Sequence, residues 1–292
     1  MSTLRVAVLG PGGVGGLLAA LLASDGHAVT CLAGRDTAAR IDREGLHLSS
    51  ERFGNVTANA RGAERLDSPV DACLVTTKAT QLEEALERLP PEVLGTAVLV
   101  PFLNGIDHLQ LLRRRYPEAR TVAAAIRVNA SRSAPGVVRH EGRLAAVELA
   151  PGAEAIAGAL RNAGLDVAVR TEESSLLWDK LGFLAPLALL TTRYMTPLGP
   201  VREQHGPEFE AVVREVADVA RAEGAAVDPD ATLAFSRTVP ADMSSSMQRD
   251  AEAGNPTELE AIGGAVLRAA ARHGVAVPVT EAIVGQLRTR LG

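Results

Sequence analysis

Over the first 150 residues, short runs of apolar and β-branched side chains alternate with helical stretches. Leu4–Leu9 reads as a strand, Gly13–Ser24 as a helix and His27–Leu32 as a second strand. A polar, charge-rich section, 33–69, holds two weaker strand candidates, Gly45–Ser49 and Asn55–Ala60. The pattern then predicts strand Asp71–Thr76, helix Thr80–Leu89, strand Thr96–Pro101, helix 106–115, strand 121–128 and short strands at 136–140 and 144–149. Such alternation predicts a parallel, doubly wound sheet of the α/β class. From Thr171 the strand signals stop, and apolar residues at helical spacing predict helices near 172–192, 201–223, 241–253, 257–273 and 279–290. Val212, Val213, Val216 and Val219 separate from Glu215, Asp218 and Glu223, as an amphipathic helix requires. The division is an α/β domain, residues 1–170, followed by an all-α domain, 171–292.

Length and composition fit this division. A chain of 292 residues, 47% hydrophobic and 22% charged, suits two soluble domains. Residues 1–170 carry 19 basic and 18 acidic groups, whereas 171–292 carry 11 and 17. The net charge of −5, with no basic stripe, argues against a nucleic-acid partner. The longest apolar run, Leu181–Leu190, is too short to span a bilayer, so no membrane partner is expected. The chain start lacks the basic and apolar regions of a secretory signal. Cys31 and Cys73 lie in strands expected to be buried, without ligand-like spacing, so no metal site is expected and the cytoplasm is the expected compartment.

Candidate chemistry begins at Gly10-Pro11-Gly12-Gly13-Val14-Gly15, a G-x-G-x-x-G placed between a strand and a helix. The first glycine permits the tight turn, the second lets backbone approach a pyrophosphate, and the third allows close helix–strand packing. The helix N-terminus adds N–H donors for phosphate. In this context the motif predicts dinucleotide binding. At the end of the second strand stand Arg35 and Asp36. Arg35 would suit a 2′-phosphate and Asp36 a free 2′-hydroxyl, and the order of the two favours NADP(H).

Arginine supplies 28 of the 30 basic residues, which singles out Lys78 and Lys180. Guanidinium does not release a proton near neutral pH, whereas ammonium can. Lys78 follows a predicted strand at the sheet edge where ligands gather, and Asn104-Gly105 follows the next strand at the same edge. Lys180 begins a long apolar helix beside Trp178, Leu181 and Phe183. There it either snorkels to solvent or projects, partly desolvated, into a cleft fit for proton donation. Ser244–Asp250 and Gly254–Glu258 form a further polar stretch. Its spacing predicts a helix start with Asn255 as cap, Pro256 at the first position and Glu258 tied back to the cap. A functional alternative has Ser246 and Glu258 meeting a small polar substrate.

Together the glycine motif, the early Lys78, Asn104-Gly105, Trp178-x-Lys180-Leu181, and Ser245-Ser246-Met247-x-x-Asp250 with Thr257-Glu258 resemble the ketopantoate reductase family, in order and spacing along nearly the whole chain. The resemblance implies a Rossmann domain joined to a helical domain, NADP(H) as cofactor, and reduction of 2-dehydropantoate to pantoate; separately, the helical domain is expected to form the interface of a homodimer. The resemblance assigns Lys180 as proton donor and Glu258 as the acid beside it. It puts Ser246 and Asn104 on the substrate, with Asn104 also reaching the nicotinamide, and Lys78 and Arg35 on the cofactor. The role of Asp250 stays open.

Three positions depart from the family pattern. Leu184 and Ala188, four and eight residues beyond Lys180, and Met243, three before Ser246, stand where asparagines are usual. Fewer amides imply a more apolar acceptor site. The alternatives are therefore a bulkier or more apolar 2-oxo acid or ketone, or an NADP(H)-binding protein without catalysis. Pro186 within the helix predicts a kink.

Overall fold

The computed structural model describes residues 2–291. In chain order its strands are β1 (Arg5–Leu9), β2 (Ala28–Leu32), β3 (Leu46–Ser50), β4 (Gly54–Ala58), β5 (Arg61–Ala63), β6 (Ala72–Val75), β7 (Val98–Pro101), β8 (Arg120–Thr121), β9 (Ala124–Ala134), β10 (Val137–Leu149) and β11 (Asp166–Val169). The first helices are α1 (Gly13–Ser24), α2 (Arg35–Glu44), α3 (Leu82–Leu86), α4 (Pro91–Leu94), α5 (His108–Arg115) and α6 (Glu154–Asn162). Then come α7 (Glu173–Tyr194), α8 (Leu198–Gln204), α9 (Gly206–Ala222), α10 (Pro229–Thr238), α11 (Ser246–Glu252), α12 (Ala265–His273) and α13 (Pro278–Leu291). The chain divides into Met1–Leu103 with His108–Thr171, and Asn104–Asp107 with Glu172–Gly292.

The first unit is built on a six-stranded sheet in the order β5-β2-β1-β6-β7-β8, parallel throughout. Val6 to Leu9 of β1 have no exposed surface, as expected of a strand covered on both faces. The chain order runs away from β1 on either side, so the carboxyl ends of β1 and β6 flank the topological switch point where such sheets hold ligands.

A second sheet, β11-β10-β3-β4 with β9 paired to β10, joins parallel and antiparallel pairs. The strands expected at 45–60 and 121–149 therefore do not all extend one parallel sheet. The two segments predicted at 136–140 and 144–149 are one strand, with a register shift between His140 and Ala145. Helix α1 packs against strands of both sheets, which explains why Gly15 to Leu22 are all buried and the helix has no polar face.

Helix α2 and strand β5 occupy the section expected to hold only two strands, and α6, β11 and α10 were also without a sequence signal. For α2 and α10 the reason is a small buried apolar face. Of α2 only Ala38 and Ile41 are buried, and of α10 only Ser236.

The second unit is all helical apart from its 104–107 segment. Its centre is α7, whose Trp178, Leu181, Ala185, Ala188, Leu189 and Leu190 share a buried cluster with Val212, Val213 and Val216 of α9. Fully burying a side chain of Val or Leu size contributes about 1.5–3 kcal/mol, so this seam dominates the unit's stability. Helix α7 runs as one element through Pro186, with Gly182 one turn before it. A Cβ on Gly182 would come within 3.0 Å of Val227 Cγ1, so this glycine makes room for Val227. No helix among the described residues is long and apolar enough to cross a membrane.

Candidate active site

The turn between β1 and α1 shows why each motif position is glycine. Gly10 has φ +85°, and a Cβ on it would come within 2.5 Å of Thr77 Cγ2. A Cβ on Gly15 would collide with Thr76 Oγ1 and Gly10 O, and one on Gly13 with Ala130 O. Gly12 differs: a Cβ there would meet only Gly10 O, at 3.9 Å, so this glycine faces open space. Thr76 Oγ1 donates to Leu9 O and Gly10 O at 3.0 and 2.8 Å, tying the β6 end to the turn. Beside it Thr77 Oγ1 is buried with no hydrogen-bond partner among the described residues. Helix α1 starts with no side-chain cap, leaving its first N–H groups for another acceptor. Val14 lies half-buried in that first turn. An uncapped helix end, an open Gly12 and an orphaned hydroxyl suit a pyrophosphate, so the residues present fit a dinucleotide.

Arg35 opens α2, directly past the β2 end. Its side chain is 83% exposed and donates from Nε to Glu64 Oε1 at 3.2 Å. Glu64 carries no signal in the sequence; the parallel pairing of β5 with β2 brings it alongside. Lys78 is exposed and precedes a 3-10 turn at Ala79–Gln81 that leads into α3. The glycine turn, Arg35 and Lys78 thus all lie at carboxyl ends of strands of the first unit. Cys31 and Cys73 are buried in the same sheet, and burial pushes both thiols up to about 12, which makes them inert core residues.

In the second unit, Asn104 Nδ2 donates to Glu258 Oε2 at 2.8 Å. Glu258 is only 6% exposed. The capping-box expectation is thereby corrected: the helix begins at Leu259, Asn255 offers no side-chain cap, and Glu258 is turned to Asn104. A π-helical turn, Glu260–Gly264, follows and continues into α12. Burying a carboxylate is costly unless it is bonded, and an asparagine 154 residues away supplies one of the bonds.

The 104–107 segment is latched where it stands. Gly105 has φ +83°, and a Cβ there would collide with Ala261 O. Arg268 donates to Asp107 Oδ2 from Nε at 3.0 Å and from Nη2 at 2.6 Å. The same guanidinium donates to Glu260 O at 2.6 Å. Neither Asp107 nor Arg268 carried a sequence signal.

Lys180 lies half-buried on α7, among Leu176 and Leu177 on one side and Phe183 and Leu184 on the other. Both α11 and the π-helical turn pack on this helix. Ser245, rather than Ser246, caps α11, accepting from Gln248 N at 3.0 Å. Thr191 Oγ1 donates to Leu187 O, so the 2.9 Å contact between Thr191 and Ser245 carries the serine's proton. This bond pins α11 to α7 and leaves Ser246 half-buried, its hydroxyl without a hydrogen bond to the protein among the described residues. Asp250 O accepts from Asn255 N at 2.8 Å.

Of the departing positions, Ala188 is fully buried in the core, while Leu184 and Met243 are half-buried against it. Phe183 meets Phe235 edge to face, with ring centroids 5.0 Å apart, and Phe235 is 52% exposed. The helix face one turn beyond Lys180 is therefore aliphatic and aromatic.

Comparison with known proteins agrees with these features. Residues 6–154 match the family model described as ketopantoate reductase PanE/ApbA, and 174–290 match its C-terminal counterpart. A 2-dehydropantoate 2-reductase of Mycobacterium tuberculosis (strain ATCC 25618 / H37Rv) is 32% identical over 96% of this chain and 95% of its own length. One from Caulobacter vibrioides is 31% identical over 97% of both chains. A crystal structure of a PanE/ApbA family ketopantoate reductase from Ralstonia eutropha JMP134 superposes with a TM-score of 0.89 at 26% identity, covering 98% of this chain and 97% of that one.

Proposed function

The chain belongs to the ketopantoate reductase family, and from that premise we propose that it reduces a 2-oxo acid to the 2-hydroxy acid with NADPH, Lys180 serving as proton donor. It is an oxidoreductase acting on a CH–OH group; the cofactor form, the acceptor and the roles of single residues are the proposal. When bound, NADPH would supply the hydride that the carbonyl carbon takes up. The Lys180 ammonium then releases a proton to the carbonyl oxygen, which becomes the hydroxyl, and solvent reprotonates the amine. Glu258 is the acid that the resemblance sets beside this lysine. Asn104 orients that carboxylate, and Ser246 offers its hydroxyl to the acid. The glycine turn and Lys78 hold the phosphates, and Arg35 the 2′-phosphate. The observation that supports the reading most is the Asn104–Glu258 hydrogen bond, which joins two residues that the resemblance assigns to the site.

2-Dehydropantoate is the first acceptor to try, as the substrate of the relatives' named activity, and pantoate formation for pantothenate synthesis is the setting it implies. Leu184, Met243 and the Phe183–Phe235 pair favour a second reading, in which the acid carries an apolar side chain. The protein is expected to act in the cytoplasm as a homodimer, which light scattering on the purified protein tests. Turnover with NADPH over a panel of 2-oxo acids separates the two acceptors. Replacing Lys180 by Ala is expected to lower turnover about 1,000-fold while leaving NADPH binding intact, within the range for general acid catalysis. Unchanged turnover of the best acceptor in that variant overturns the proposal.

A further inference from the structure

Besides Arg35, a second guanidinium stands at the end of β2. Arg88 lies just past α3, half-buried, and its Nη1 donates to Ala33 O at 3.2 Å and to Glu64 O at 3.1 Å. Those two carbonyls belong to the residues that follow β2 and β5. The anchoring uses one nitrogen, so the edge formed by Nε and Nη2 has no partner among the described residues. That edge points toward Gly34: Nη2 is the one atom within 4 Å of where a Cβ on Gly34 would stand, at 3.9 Å. With no side chain on Gly34, the space above this edge is open.

Charge and entropy both give Arg88 a task that Arg35 alone performs poorly. Arg35 is exposed and already shares its charge with Glu64 at 3.2 Å. A dianion placed beside Arg35 would also feel the Glu64 carboxylate. Arg88 is fixed by two carbonyls, so it loses little freedom on binding, and a free Nε–Nη2 edge matches two oxygens of a phosphate. We infer that Arg88 is a second cation of the adenosine 2′-phosphate site and helps to set the choice of NADPH over NADH. The inference rests on the cofactor proposed above and needs no knowledge of the acceptor.

The test is direct titration of the full-length protein with NADPH and NADH, followed by nicotinamide fluorescence, with 2′,5′-ADP and 5′-AMP as competitors. Unaltered protein is expected to prefer NADPH, and 2′,5′-ADP over 5′-AMP. In Arg88→Gln both preferences fall about tenfold, the loss of one charge-assisted contact, while NADH affinity stays within twofold. Arg88→Lys, which keeps the charge but not the fork, recovers part of the preference. An equal loss for both dinucleotides, as from collapse of the 33–35 loop, overturns the inference, and so does an unchanged ratio. If the unaltered protein shows no preference, the cofactor reading itself fails and takes the inference with it.

Discussion

The nucleotide turn of the first unit and the Asn104–Glu258 site of the second are encoded in opposite ways. The turn is local: six consecutive residues, with strand before and helix after, carry its whole geometry. The second site is assembled over 154 residues of separation, from a glycine turn, a buried carboxylate and a guanidinium latch. In the first, side chains are excluded so that backbone can meet a ligand. In the second, side chains are imported so that a charge can be buried. Substitutions should therefore fail differently in the two places, by collision in one and by lost polar partners in the other.

The largest effect is expected where a collision is with backbone. Gly13→Ala drives a Cβ into Ala130 O, and neither partner can yield without moving α1 or β9. A loss of about 3 kcal/mol, typical of overpacking in a core, should appear as a lowered midpoint in urea. Gly12→Ala meets nothing but its own turn. It should leave that midpoint within about 0.5 kcal/mol and abolish measurable NADPH binding, because the methyl takes the space of the pyrophosphate. Equal stability losses in the two variants would remove the distinction between a packing glycine and a ligand glycine.

The second effect lies in the imported site. Glu258→Gln keeps the shape but removes the charge, and turnover should fall about 100-fold, or about 2.7 kcal/mol, with NADPH affinity unchanged. Asn104→Ala leaves the buried carboxylate short of one donor and should lower both turnover and stability. If Glu258→Gln changed only stability, the carboxylate would be structural. The comparison of the two sites would then reduce to one between a binding loop and a helix packing.

These two sites also explain what the sequence disclosed. The glycine motif, strands β1, β2, β6 and β7, and the α7 and α9 helices have strong local periodicity or strict backbone requirements, so each stands out in its own few residues. Helices α2 and α10 bury too few apolar side chains to mark a period. The second sheet is hidden because its pairings are long range and many of its strand positions are exposed. Asn-Pro-x-Glu is a sound local signal for a helix cap and so assigns Glu258 to one. The partner that overrides it, Asn104, lies in another part of the chain. Glu64, Asp107, Arg88 and Arg268 look like ordinary surface charges in sequence, and only their neighbours give them roles.

A smaller effect concerns the acceptor. Leu184 lies one helical turn from Lys180 and is half-buried, so Leu184→Asn puts an amide on that face without opening a large cavity. Preference for a hydroxylated over an aliphatic 2-oxo acid, read as the ratio of kcat/KM values, should rise about tenfold, near the worth of one hydrogen bond. An unchanged ratio would remove Leu184 from the acceptor site.

The smallest effect comes from the ion network behind the Asn104 turn. Glu260 accepts from Arg288 Nε at 2.7 Å and from Arg268 Nη1 at 3.3 Å, and these cations, Arg288 above all, hold its carboxyl below the usual range. A depressed carboxylate adds stability that is complete above its unfolded pKa and disappears as pH falls through its folded one. The Glu260 side chain is 57% exposed, so solvent limits the pair's worth to less than about 1 kcal/mol. Glu260→Gln should therefore cost less than that near neutrality and flatten the loss of stability on acidification, as read by urea midpoints from pH 7 to pH 3. Because Arg268 also holds Asp107, the same variant should lower turnover about twofold through a looser Asn104 turn, an effect Arg288→Gln would share only in its stability part. A fall in stability that steepened on acidification would contradict this assignment of the network.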